Sequence, residues 1–184
     1  MWRVVEASGV GKQLERAPIH VQEKYEFWKT VAELEGPMGL RRLSGFRDHA
    51  VRGEWRGARS SSLSRRWRVV YAARGDDLTV LVLEVTPMAT GRKTKAALKG
   101  RFLPARPRRK LSVGQSVRIA RGLNELSQNE LSERTGIGQS TISAIETNRI
   151  KLGAERAKTL ARALRVHPAV LLFPGWCTED ESAA

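Results

Sequence analysis

The sequence predicts two units of different class. An α+β unit, with two helices on an antiparallel sheet, comes first, and an all-α unit of five helices follows. Three observations carry this. Residues 67–73 (WRVVYAA) and 78–85 (LTVLVLEV) are runs of β-branched and aromatic residues around a turn sequence. Residues 111–175 hold two helix-capping patterns and a glycine turn. Between them, residues 91–110 (GRKTKAALKGRFLPARPRRK) hold nine basic and no acidic side chains.

The first unit, residues 1–90, opens on WRVVEA, a short strand candidate. Residues 12–35 show helical spacing, with Val21, Tyr25, Trp28 and Val31 on one stripe and Ala32 beside it. Pro18 fits a first helical turn but not mid-helix, so a short helix precedes it and a longer one starts near it. Gly36-Pro37 is expected to stop the long helix. Arg74-Gly75-Asp76-Asp77 reads as a hairpin turn between the two apolar runs.

Segment 91–110, with its prolines, glycines and self-repelling charge, reads as an extended linker with no core of its own. Two roles fit it: a basic arm lying along a DNA backbone and releasing counterions, or a solubilising spacer.

The second unit, residues 111–175, starts with a capping box, Ser112 with Gln115, and a helix running to about Leu123. Ser127 with Glu130 caps the next helix. Gly136 ends it where the backbone needs positive φ. A helix then opens on Gln139, Ser140 and Thr141. Leu131, Ile137, Ile142 and Ile145 can point into a small core. Asn148 can take the left-handed conformation that ends this helix. Ala154 to Leu164 forms a fourth, with Ala157, Leu160, Ala161 and Leu164 inward. Pro168 starts a fifth, carrying Val170, Leu171, Leu172 and Phe173. That apolar helix is either a dimer patch or internal core. Residues 176–184 read as an acidic tail.

Composition bounds the rest. At 184 residues and 41% hydrophobic content, packed cores are available. No apolar run approaches the roughly 20 residues that span a bilayer, and the N-terminus lacks a secretory h-region. Cys177 is the only cysteine, which excludes an intrachain disulfide and fits a cytoplasmic protein. The net charge of +14 favours a polyanionic partner.

The pattern S-Q-x-x-L-S-x-x-x-G-I-x-x-x-x-I-S-x-I-E, from Ser127 to Glu146, closely resembles the XRE, or lambda-repressor-like, helix-turn-helix family. Matched onto that pattern, Gln128 meets a phosphate. Gln139, Ser140 and Ala144 face bases, with Thr141 and Ser143 flanking them. Asn148 and Arg149 lie near the backbone. Glutamine can pair bidentately with adenine, while Ser140 and Ala144 carry little hydrogen-bonding information, so DNA shape contributes to readout. The resemblance implies operator DNA as partner and a homodimer on half-sites about 34 Å apart.

In the first unit, K-Q-L-x-x-x-P, G-x-R-x-L-x-G-x-R-D-H and R-S-x-x-L-S-R-x-W-R-V-V-Y resemble the RelE/HigB-like toxins of bacterial toxin–antitoxin systems. That resemblance implies a RelE-like fold and a metal- and cofactor-independent ribonuclease acting on mRNA, commonly on the ribosome. Such cleavage needs a base for the 2′-OH, cations for the phosphorane and an acid for the leaving oxygen. Arg59, Arg65 and Arg68 match the family's arginines, which suit bidentate phosphate binding. Arg56 and Arg66 lie nearby. His49 is a candidate base or a plain surface histidine.

Two departures stand out. Ser62 occupies the place of the family's second arginine. Met88 and Thr90 stand where its histidine and tyrosine fall, so the acid/base pair is missing while an arginine surface remains.

The second unit resembles a HigA-type antitoxin, and a tether of this length raises the partner's effective concentration to about millimolar. The expected function is a single-chain toxin–antitoxin fusion that represses its own transcription, its toxin half inactive or neutralised. The alternative is an active ribosome-dependent mRNA endonuclease inhibited by its own C-terminal half.

Overall fold

The computed structural model describes residues 1–52, 56–76, 78–87 and 101–176. Met88, Thr90, Cys177 and the acidic tail lie outside them, as do Asp77 of the hairpin turn and the first ten linker residues.

The chain begins with strand β1 (Arg3–Ala7), a short helix α1 (Val10–Glu15) and the long helix α2 (Ile19–Arg42). Pro18 takes the N-cap position of α2, as its fixed φ favours. Val21, Tyr25, Trp28, Val31 and Ala32 are all fully buried along one side of the helix. Gly36-Pro37 kinks α2 rather than ending it. Gly36 leaves helical geometry (φ 63°, ψ −162°), and helical turns resume to Arg42. A 3₁₀ turn (Ser44–Phe46) follows. Then come β2 (His49–Ala50), β3 (Ala58–Ser62), β4 (Trp67–Arg74) and β5 (Thr79–Pro87).

The sheet is mixed, not antiparallel throughout, and its order is β2-β3-β4-β5-β1-β6, where β6 is Phe102–Pro104. Strands β3, β4 and β5 pair antiparallel, but β1 lies parallel to β5, with Val4 opposite Val80. The physical reason is the connection. A long helical connection through α1 and α2 separates β1 from the β3–β4–β5 meander, so no hairpin turn fixes their relative direction and β1 can lie parallel to β5. Strand β5 is buried along nearly its whole length, which is why it reads as a continuous apolar run rather than an alternating one.

Residues 101–110 depart from the expected linker. They are not a linker without a core. Strand β6 pairs antiparallel with β1, Val5 opposite Pro104. Beyond it, the Arg108 guanidinium clasps the Glu6 carboxylate with both terminal nitrogens. Its backbone N–H donates to Glu26 Oε1 at 3.2 Å. Lys29 Nζ donates to the Arg106 carbonyl at 2.8 Å and pairs with Glu26 Oε2 at 2.8 Å. Glu6, Glu26 and Lys29 are buried, so each charge is matched where water is scarce. Tyr25 donates to Glu6 Oε1 at 2.8 Å; burial, then the Glu6 charge, pushes its phenol well above its usual pKa. A sequence rich in repelling cations becomes ordered because three buried charges of the first unit receive it.

Five helices complete the chain: α3 (Val113–Leu123), α4 (Gln128–Thr135), α5 (Gln139–Glu146), α6 (Ala154–Leu164) and α7 (Pro168–Leu172). Both capping boxes are present, with Ser112 Oγ accepting from Gln115 N–H and Ser127 Oγ from Glu130 N–H. Gly136 takes φ 70°, a left-handed value that lets α4 stop in one residue.

Buried side chains of both units share one continuous core, from Val4 and Trp28 through Phe46 and Leu123 to Leu171, while Ala58, Val70, Leu81 and Leu83 form a second, smaller cluster. Helix α7 packs on α2, where His167 N–H donates to Glu35 Oε1 at 2.8 Å. Val170 and Leu171 are fully buried there. Of the two readings of the apolar fifth helix, internal core describes these residues; Phe173, 57% exposed, stays outside. Among the described residues no helix is long and apolar enough to cross a membrane.

Candidate nucleic-acid interface

Two arginine- and amide-bearing surfaces answer the sequence-level candidates. The first is the α4–turn–α5 unit. Helix α5 is only eight residues long, so its orientation rests on what fastens it. Ile142 and Ile145 are buried beneath it, and Glu146 ends it with a buried carboxylate. Arg121 on α3 grips that carboxylate bidentately, Nε to Oε1 at 2.6 Å and Nη2 to Oε2 at 2.9 Å. This bond, working against burial, raises the guanidinium pKa further above its ordinary range. Arg121 Nη1 also donates to the Leu126 carbonyl at 2.7 Å, in the connection between α3 and α4.

The same carboxylate reaches the outer surface. Glu146 Oε2 accepts from Gln128 Nε2 at 2.9 Å, and Gln128 Oε1 accepts from Gln139 Nε2 at 2.7 Å. A single relay, Arg121–Glu146–Gln128–Gln139, therefore runs from a buried ion pair to the first residue of α5. Such a network sets side-chain direction before any ligand arrives. Gln139 and Ser140 are exposed, and Thr141, Ser143 and Ala144 are partly exposed. A face of amides, hydroxyls and a methyl suits contact with base edges in a major groove.

Asn148 is exposed just past the end of α5. It holds φ 57°, its Oδ1 accepts from Gly114 N–H at 3.0 Å, and its Nδ2 donates to Ser112 Oγ at 2.9 Å. Its side chain ties the exit of α5 to the start of α3. Arg149 is exposed, its Nε donating to Thr147 Oγ1 at 3.0 Å.

The second surface is the β3–β4 hairpin. Arg65 and Arg66 are exposed at its tip. Arg68 is half-buried opposite Ser62, and its Nε is enclosed with no hydrogen-bond partner among the described residues. Arg56 is exposed before β3. His49 is exposed on β2, with Nδ1 2.8 Å from the Arg47 carbonyl oxygen.

Arg59 stands apart from these arginines. Its Nε and Nη2 donate to Asp48 Oδ1 at 2.6 and 2.5 Å. Asp48 Oδ2 also accepts from Ser61 Oγ at 2.6 Å and from Tyr71 OH at 2.8 Å. The Asp48 side chain is wholly enclosed. Burial, then the Asp48 charge, holds the Tyr71 phenol far above its ordinary pKa. Arg59 thus neutralises a protein carboxylate and is not displayed as Arg65 and Arg66 are. Asp48 lay within the R-D-H stretch and Glu146 within the I-S-x-I-E stretch, but only three-dimensional contact reveals their partners.

Residues 117–171 match the family model described as helix-turn-helix. This span covers α4, α5 and α6 with parts of α3 and α7, so the chain carries a helix-turn-helix domain of XRE type. No curated protein matches the chain. Among solved structures, it is similar to the P22 c2 repressor in complex with a synthetic operator, at 25% identity, covering 35% of this chain and 98% of that one, with a TM-score of 0.34. It is also similar to the toxin–antitoxin complex RelBE2 from Mycobacterium tuberculosis, at 20% identity, 47% and 96% coverage and a TM-score of 0.37. YafQ from E. coli is a further likeness, at 15% identity, 48% and 96% coverage and a TM-score of 0.38.

Proposed function

We propose that this chain is a single-chain toxin–antitoxin fusion whose helix-turn-helix binds operator DNA and represses transcription of its own gene. In this reading residues 1–90 are the toxin-like unit and residues 111–175 the antitoxin-like unit. The observation that carries it is the Arg121–Glu146–Gln128–Gln139 relay, which aims an exposed amide at the opening of α5. Gln139 and Ser140 read bases, while Gln128 and Arg149 meet phosphates.

The toxin-like unit serves as a partner and not as a nuclease. Its acid/base positions carry Met88 and Thr90, and Arg59 is occupied by Asp48. Arg65, Arg66 and Arg68 keep the basic face without the proton transfer that RNA cleavage needs.

A gel shift of the full chain on the duplex immediately upstream of its gene tests the repressor reading. Salt-sensitive, sequence-selective binding supports it. Gln139→Ala should weaken that binding by about 1–3 kcal/mol and relax selectivity at one position. Absence of binding, or equal affinity for an unrelated duplex, overturns it.

A further inference from the structure

Asn148 brings the end of the basic segment to the exit of the recognition helix. Its two side-chain bonds reach Ser112 and Gly114, only two to four residues beyond Lys110. At no more than about 3.6 Å per residue, Lys110 lies within about 7 Å of Ser112 along the chain. On the α5 side the adjoining residues are Arg149 and Lys151, both exposed. On the other side Arg109 and Lys110 are exposed. The chain from Arg101 to Asn124 carries seven basic and no acidic residues.

The cations of the segment have separate assignments. Arg108 is consumed by Glu6. Arg109 donates one bond, Nε to Gln22 Oε1 at 2.9 Å, which anchors its stem on α2. Glu23 accepts from Gln115 Nε2 at 3.1 Å. Strand pairing of β6 with β1 and the Lys29 bond to the Arg106 carbonyl hold the backbone. This basic arm is therefore held in place before DNA arrives, so little ordering entropy opposes its contacts.

We infer that Arg109, Lys110 and Lys151 form a phosphate-binding extension of the recognition face, gripping the duplex backbone at the edge of the site that α5 reads. The inference rests on the DNA-binding reading above. It adds to the helix-turn-helix a contact supplied by the segment that joins the two units. These contacts carry no base information; they raise affinity and its salt dependence.

The test measures affinity of the full chain for the upstream duplex by fluorescence anisotropy between 50 and 200 mM salt. Each phosphate contact contributes a slope of about 0.9 in log affinity against log salt. Arg109→Ser with Lys110→Ser should make the slope shallower by roughly 2, so affinity falls about tenfold less across that range than for the unaltered chain. Lys110→Ala with Lys151→Ala, which leaves the Gln22 bond intact, should do the same. Lys12→Ser with Arg74→Ser removes the same charge from α1 and β4 and should leave the slope unchanged. If both arm variants keep the original slope, or the control changes it equally, the arm contact is wrong while the repressor reading stands. If the unaltered chain shows no selective, salt-sensitive binding, both fall.

Discussion

Gly45 lies against the backbone of Leu123 so closely that a β-carbon there would stand 2.7 Å from the Leu123 carbonyl oxygen and 2.8 Å from its Cα. Ser44 Oγ donates to the same carbonyl at 3.3 Å. The 3₁₀ turn of the first unit thus abuts the end of α3 backbone to backbone. Neither atom set is a flexible tip that could swing away. Gly45→Ala should therefore destabilise the chain by about 1–3 kcal/mol through overpacking. Because the core is continuous, the unaltered chain should unfold in one transition in urea. The variant should show an earlier transition or two separate ones. An unchanged midpoint would contradict the close approach.

The Asp48 carboxylate holds Arg59, Ser61 and Tyr71 together. Asp48→Ala leaves two hydroxyls and one guanidinium without their acceptor. A loss of about 3–5 kcal/mol is expected, as for other broken buried pairs. Arg59→Ala should cost less, since Ser61 and Tyr71 still donate to Oδ2, although Oδ1 loses both its donors. Equal losses by thermal unfolding would place the stabilisation in the ion pair alone.

Glu33 supplies a pH dependence. Burial, with a smaller push from Glu26 against the pull of Lys29, raises its carboxyl from 4.5 to about 7. The folded state therefore holds a proton that the unfolded state releases near 4.5. Stability falls as pH rises through the window from about 4.5 to 7, by at most about 3 kcal/mol. Glu33→Gln should remove this contribution. Relative to the unaltered chain, the variant gains stability between pH 5 and pH 8 in urea titrations. Parallel profiles would show that Glu33 ionises at its ordinary value.

Glu146→Ala breaks the relay at its centre. It strands the partly buried Arg121 guanidinium and frees Gln128. Stability should drop by about 3–5 kcal/mol. Glu146→Gln keeps the shape but loses the charge, and should fall between. At a temperature where both are folded, affinity for the upstream duplex should drop with Gln128 unsupported. Unaltered affinity in folded Glu146→Gln would remove the relay from recognition.

Local features of the chain were legible because their physics is local. A serine three residues before a glutamine or glutamate makes a capping box from adjacent residues, and both form. Gly136 stops α4 in the left-handed region because a helix end needs that conformation wherever it occurs. The stripe from Val21 to Ala32 follows from helical period alone. Tertiary structure decided what sequence distance conceals. Strand β1 lies parallel to β5, a direction that no hairpin turn fixes. The basic residues 101–110 are ordered because buried Glu6 and Glu26 and the Lys29 ammonium receive them. Arg59 faces Asp48, and Asn148 fastens α5 to α3. The side-chain contacts among these depend on a charge or polar atom that needs a partner elsewhere in the chain, and sequence spacing does not encode that pairing.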